Sequence, residues 1–165
     1  MHLLYPHPER LEGFDVSEIL TRRLVPGDTV LAIAAFAMMA TVFEEGGSPL
    51  SRGYVDRLLA RDDFWAFVAV ADKEIVGGLT AHTLPMTRAE RSEMFIYDVA
   101  VRPDYQRQGV GRHLMAAVRN AARARGIDDV FVAADEDDAH ALDFYRSLGG
   151  SPSMSTIFTF PAEGR

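Results

Sequence analysis

The segment Gln106-Arg107-Gln108-Gly109-Val110-Gly111 combines residue types suited to holding a phosphate chain. Its glycines let a ligand lie against the main chain, because no Cβ stands in the way. A helix follows, with Leu114, Met115 and Val118 at helical spacing. The unpaired N–H groups and the dipole at its start add partial positive charge beside the loop. Arg107 and Arg112 flank the loop with fixed charge. Upstream, a β-branched run from Ile96 to Val101 stops at Arg102-Pro103, where proline has no N–H to give a ladder. Strand, glycine loop and helix together predict a cradle for a pyrophosphate. A P-loop is excluded because Gly-Lys-Ser/Thr is missing. A dinucleotide fingerprint is excluded too: Leu114 stands where its third glycine would be, and the stretch from Arg102 to Gln108 is too long for that turn.

Carboxylates supply the second chemistry. Asp135-Glu136-Asp137-Asp138 precedes a predicted helix, where Asp137 or Asp138 serves as a cap. The rest of that cluster suits a substrate carrying several ammonium groups. Glu93 and Asp98 share one strand at an odd separation, so regular alternation points them to opposite faces. A bulge between them would change that. His82 is a further candidate base by its ordinary pKa, although a lone strand histidine is more often structural.

The elements that must position these groups follow from the pattern. Ile19 to Val25 reads as a strand, and Asp28 caps a helix with Val30, Ile33, Ala34, Ala37 and Met38 at helical spacing. Ser51 opens a second helix with Tyr54, Val55, Leu58 and Leu59 on one face. Phe64 to Ala71 and Ile75 to Leu84 form a hairpin through Asp72-Lys73-Glu74, and Glu93 to Val101 is the long central strand. A third helix runs from Gly109 to Arg125 and stops at Gly126. Val130 to Ala134 is a strand, Ala139 to Leu148 a fourth helix, and Thr156 to Phe160 a last strand. The order predicts an α+β fold, a mixed sheet flanked by about four helices. Residues 1–16 form an irregular extension, and 17–165 one domain.

Bulk properties narrow the class. A chain of 165 residues suits one core, burying roughly 70% of the surface its unfolded form exposes. The absence of cysteine excludes disulfides, thiolate zinc sites and cysteine nucleophiles. The net charge of −7 argues against a nucleic-acid partner and permits a cationic substrate. The longest apolar stretch, Val30 to Val42, falls short of the about 20 residues a membrane span needs. Residues 1–13 lack the apolar centre of a signal peptide, so a cytoplasmic protein is the expectation.

Gln-x-x-Gly-x-Gly after Asp98-Val99-Ala100-Val101 resembles the acetyl-CoA loop of the GCN5-related N-acetyltransferases, and the element order from residue 17 to 160 is similar to theirs. The resemblance implies an enzyme that binds acetyl-CoA and acetylates an amine. It implies that Val99, Ala100 and Val101 pair with the pantetheine arm, a backbone N–H near Val99 polarising the thioester carbonyl. Gln106, Arg107, Gln108, Gly109, Val110, Gly111 and Arg112 would hold the pyrophosphate. Tyr145, in Asp143-Phe144-Tyr145-Arg146-Ser147-Leu148-Gly149, would protonate the departing thiolate; a phenol with an ordinary pKa near 10 is a donor at neutral pH. Asp98 is the first choice of partner for the amine, directly or through a water, with Glu93 the alternate.

The pattern is most similar to the class I aminoglycoside 3-N-acetyltransferases. The matching segments are Ala81 to Pro85, Arg91 to Val101, Gln106 to Gly109, and Ala134-Asp135 through Tyr145 to Leu148-Gly149. That resemblance implies contacts from Asp98, Asp135 and Asp138 to aminoglycoside amines, with Glu136 and Asp137 in the same acidic approach; Glu44 and Glu45, in the loop that borders the acceptor in the family, could add to the same pocket. His82 departs from it, and residues 135–138 are more acidic than usual. Three readings follow: acetylation of an aminoglycoside, acetylation of another amine such as a polyamine, a metabolite or a protein N-terminus, and an acyl-CoA sensor without turnover. Tyr145 and the acidic approach disfavour the sensor. Many relatives are dimers, so a homodimer is the expected assembly, with no pairing face assigned.

Overall fold

The computed structural model describes residues 18–161, so the expectation for 1–16 falls outside the described residues. The chain divides into two compact units, one ending at Phe131 and the other beginning at Val132. In order, the elements are β1 Leu20–Arg23, α1 Thr29–Val42, α2 Arg52–Leu59, β2 Phe64–Ala71, β3 Glu74–Pro85 and β4 Ser92–Val101. A single 3₁₀ turn, Pro103–Tyr105, leads to α3 Val110–Ala124, β5 Val130–Val132 and α4 Ala139–Ser147. The strands form one sheet in the order β1-β2-β3-β4-β5, with β1 to β4 antiparallel. The fold is α+β, as the pattern predicts. Among the described residues, no helix is long and apolar enough to cross a membrane.

The β2–β3 hairpin turns on Asp72 and Lys73, both left-handed at φ 51° and 66°. Two such residues match the twist of the flanking strands, which is why a two-residue loop closes the hairpin. Register then sorts the sheet into two faces. Phe64, Ala66 and Val68 pack with Leu24, Ala32, Ala35, Val55 and Leu59, the side covered by α1 and α2. The opposite face meets α3, whose Val110, Leu114, Val118 and Ala122 recur every four residues and are all buried.

Three expectations need correction. In α1 the buried positions are Thr29, Ala32, Ala35 and Met39, whereas Val30, Ala34 and Ala37 are exposed. The helix is apolar all round and carries no amphipathic signal. Packing selects its small residues, and Met39 lies so close to β3 that a Cβ on Gly78 would stand 2.6 Å from its Sδ. Asp28 sits at the N-cap, yet its carboxylate makes no cap bond. It is held instead by both Arg22 terminal nitrogens at 2.8 Å and by the Val25 N–H at 2.9 Å. Residues 156–160 form no strand: with no neighbouring strand to exchange main-chain bonds, 151–161 is irregular and exposed.

Candidate active site

The site begins with a defect in β4. Thr80 of β3 pairs with Asp98, and the next residue, Ala81, pairs with Ile96. Tyr97 is therefore left over as a bulge, and the residue is 65% exposed. The extra residue cancels the odd separation. Glu93 opposes Leu84, Phe95 opposes His82 and Asp98 opposes Thr80, so all three β4 residues share the face covered by α1 and α2.

Asp98 is half-buried and accepts a hydrogen bond from Thr80 Oγ1 at 3.1 Å. Burial pushes its carboxyl above the ordinary carboxylate range; the Thr80 bond pulls the other way, Glu45 adds to the rise and His82 opposes it. Glu45 and His82 thus lie within electrostatic reach of Asp98. His82 packs between Phe64 and Tyr97, ring centroids 5.4 and 6.0 Å away. Sequence reasoning named Asp98, Glu45 and His82 but missed Thr80, whose role depends on register across the bulge. Glu93 lies further along the same face, half-buried.

A cleft of about 400 Å³ opens between the end of α1 and the start of the glycine loop, lined by Met38, Thr41, Val42, Glu44, Arg102, Pro103 and Asp104. Arg102 is already engaged, at 2.6 Å from Glu74 and 2.5 Å from Asp104. The cleft therefore adds no free cation, and Glu44 brings a carboxylate to its rim.

The glycine loop joins the 3₁₀ turn to α3. Arg107 and Gly109 are both left-handed, at φ 62° and 90°, a conformation that turns successive N–H groups toward one point. The Gln106 side-chain amide donates to Val101 O at 3.3 Å and that of Gln108 to Asp104 O at 2.8 Å, fastening the loop to its own strand end. The first helical bond of α3 runs from His113 N–H to Gly109 O at 3.0 Å. The N–H groups of Val110, Gly111 and Arg112 consequently have no acceptor within the helix. Arg107 and Arg112 are exposed and have no ion-pair partner among the described residues.

Beside β4 in the sheet lies β5. Met94 N–H donates to Asp129 O at 2.9 Å, which fixes where β5 begins beside β4. With three residues, β5 advances only about 10 Å.

In the second unit, Asp138 caps α4, accepting from Ala141 N–H at 2.9 Å. Asp135, Glu136 and Asp137 are exposed in the turn before it. The helix closes through Gly149, φ 84°, with Gly149 N–H bonded to Arg146 O and Gly150 N–H to Tyr145 O, both at 3.0 Å. Tyr145 is half-buried and its ring lies 5.2 Å from that of Phe144. Burial, and then the Asp138 carboxylate, push its phenol above the ordinary value, so it carries its proton at neutral pH.

The sheet, the glycine loop at the end of its fourth strand and the carboxylate on that strand define a transferase of the acetyl-transferring class. The chain belongs to the acetyltransferase (GNAT) family, whose sequence profile matches residues 33–149. The structure is similar to that of the aminoglycoside acetyltransferase meta-AAC0020 from an uncultured soil metagenomic sample, solved in complex with sisomicin. The two share 32% identity at a TM-score of 0.82, over 88% of this chain and 97% of that one. Aminoglycoside acetyltransferase HMB0005, also from an uncultured soil metagenomic sample, gives 31% identity and 0.84, over 88% and 99%. A 64-residue stretch is 34% identical to [ribosomal protein bS18]-alanine N-acetyltransferase of Escherichia coli strain K12, 39% of this chain and 43% of that protein. The chain thus spans less than half the length of that curated relative.

Proposed function

We propose that this acetyltransferase moves the acetyl group of acetyl-CoA to a primary amine of a polycationic small molecule, and that the acceptor is the 3-amino group of an aminoglycoside. Transfer is direct, within a ternary complex. The observation that carries the reading is the bulge at Tyr97, which sets Asp98 on the α1/α2 face beside Thr80 and within reach of Glu45. A carboxylate kept partly out of water suits a cationic amine, and can take its proton directly or through a water. Glu93 is the alternate base on the same face. Similarity across most of the chain to acetyltransferases of aminoglycosides supports the acceptor class.

The residues present fit acetyl-CoA. Left-handed Arg107 and Gly109, and the N–H groups that open α3 without an acceptor inside the helix, form a nest for a pyrophosphate, with Arg107 and Arg112 to neutralise it. The β4 edge at Val99, Ala100 and Val101 presents main chain to an extended arm. When bound, acetyl-CoA supplies an acetyl group activated as a thioester. Tyr145, with its phenol proton retained, is the proposed acid. Asp135, Glu136, Asp137 and Asp138 are the proposed acidic approach for further ammonium groups.

The partner is a small molecule. Self-association is proposed alongside, because Met154, Ile157, Phe158 and Phe160 are 76–96% exposed. A protein N-terminus is the second reading, favoured by the stretch shared with the bS18-alanine acetyltransferase. Release of free CoA, measured with gentamicin, kanamycin, spermidine and an alanine-starting peptide as acceptors, separates these readings. Turnover with gentamicin that adds one acetyl group, mapped to the 3-amino nitrogen, is the expected result. Turnover on the peptide alone would replace the aminoglycoside reading, and coenzyme binding without turnover on any acceptor would overturn both.

A further inference from the structure

A second cluster of fixed charge lies at the other end of α3, away from the glycine loop. The Arg23 guanidinium carbon sits 3.7 Å from the centroid of the Trp65 ring, and that of Arg125 sits 5.4 Å from the same centroid. Trp65 is 2% exposed, its ring parallel to Phe67 and its N–H donated to Thr83 Oγ1 at 2.8 Å. The indole is therefore a fixed floor beneath two cations.

Those cations lack what normally accompanies them. Neither guanidinium has an ion-pair partner among the described residues, and Asp62 is the carboxylate that acts on Arg23 from beyond ion-pair distance. Arg23 donates through Nη2 to Phe64 O at 3.4 Å, yet its buried Nε–H has no acceptor. An ionised donor without an acceptor is costly, and two like charges over one ring repel each other. The stacking of each on the indole offsets part of that cost.

We propose that Arg23, Arg125 and Trp65 form a binding site for a phosphate dianion, free or as a monoester. Its two negative charges match the two cations, where a carboxylate would leave one unbalanced. Forked guanidiniums from a strand and from a helix end can grip separate oxygens of one tetrahedral group. The site is distinct from the proposed pyrophosphate cradle, because the fifteen residues of α3 separate the two by about 22 Å.

Trp65 is the chain's sole tryptophan, so its fluorescence reports on this site alone. Inorganic phosphate, glycerol phosphate and acetate are titrated at constant ionic strength. The expected result is a saturable change in emission with either phosphate and none with acetate. Tighter response to glycerol phosphate marks a monoester as the ligand; equal response marks the free ion. Arg125→Gln, at an exposed helix end, should weaken binding at least about tenfold, Arg23→Gln likewise, and Arg107→Gln should leave it unchanged. No saturable change up to about 10 mM phosphate, ample for a millimolar site, overturns the proposal. So does an equal response to acetate, or an undiminished response in Arg125→Gln.

Discussion

Thr80 Oγ1 donates to Asp98 Oδ2 at 3.1 Å, across the two strands where their register shifts. The bond tunes the group proposed to accept the amine proton. Asp98 is raised by burial and by Glu45, and held back by Thr80 and His82. As a base it works when ionised, so kcat/KM should rise with pH through a value above the ordinary carboxylate range. Thr80→Val should move that acidic limb to higher pH, and Glu45→Gln to lower pH. A limb unmoved by both changes would remove Asp98 as the base. The stability effect has the opposite sign. A raised folded pKa means this group's contribution is fully present below its unfolded pKa and is lost as pH rises through the folded one.

Asp98→Asn keeps the shape of the strand and removes the charge. It should raise the acceptor KM or abolish turnover, with acetyl-CoA affinity unchanged by calorimetry. Loss of coenzyme binding would show instead that this strand serves the coenzyme alone.

Tyr145→Phe deletes only a hydroxyl that carries its proton at neutral pH. Turnover should fall by roughly 10²-fold or more, the scale of a general acid, while acetyl-CoA binding persists. Full turnover in the variant would reduce Tyr145 to a packing residue beside Phe144.

Two adjacent glycines of β3 should differ in their tolerance of a methyl group. A Cβ on Gly77 would stand 2.7 Å from Val110 Cγ1, 3.0 Å from Leu114 Cδ1 and 3.2 Å from Ala100 O, a stiff side chain and a backbone atom among them. On Gly78 it would meet only Met39, whose thioether can rotate away. Gly77→Ala should cost about 1–3 kcal/mol, read from denaturant midpoints, and Gly78→Ala less.

The exposed apolar segment should matter for assembly. A second copy of the chain is the proposed cover. Four such side chains hide on the order of 600–800 Å² per copy if they become buried, about 1,200–1,600 Å² over two copies, within the roughly 1,200–2,000 Å² total of a specific interface. Sedimentation should give a dimer, and Ile157→Ser with Phe160→Ser should shift it to monomer. A wild-type monomer at micromolar concentration would discard this assembly.

The sequence alone determined what rests on local chemistry. Hairpin, helix and strand boundaries followed from Asp72-Lys73, Ser51, Gly126 and Gly149, because turns and caps are decided within a few residues. The glycine loop was legible for the same reason: left-handed backbone at Gly109 and a helix start are local events. What depends on partners distant in the chain was decided by tertiary structure. Which stripe of the uniformly apolar α1 is buried emerged only when Met39 met Gly78. The side of the sheet that Asp98 occupies hung on one unpaired residue, Tyr97, since a slip of one position in a strand exchanges its faces. Thr80 and Glu45 became neighbours of Asp98 only through that register, and the strand expected at 156–160 did not form because a strand exists by virtue of the one beside it.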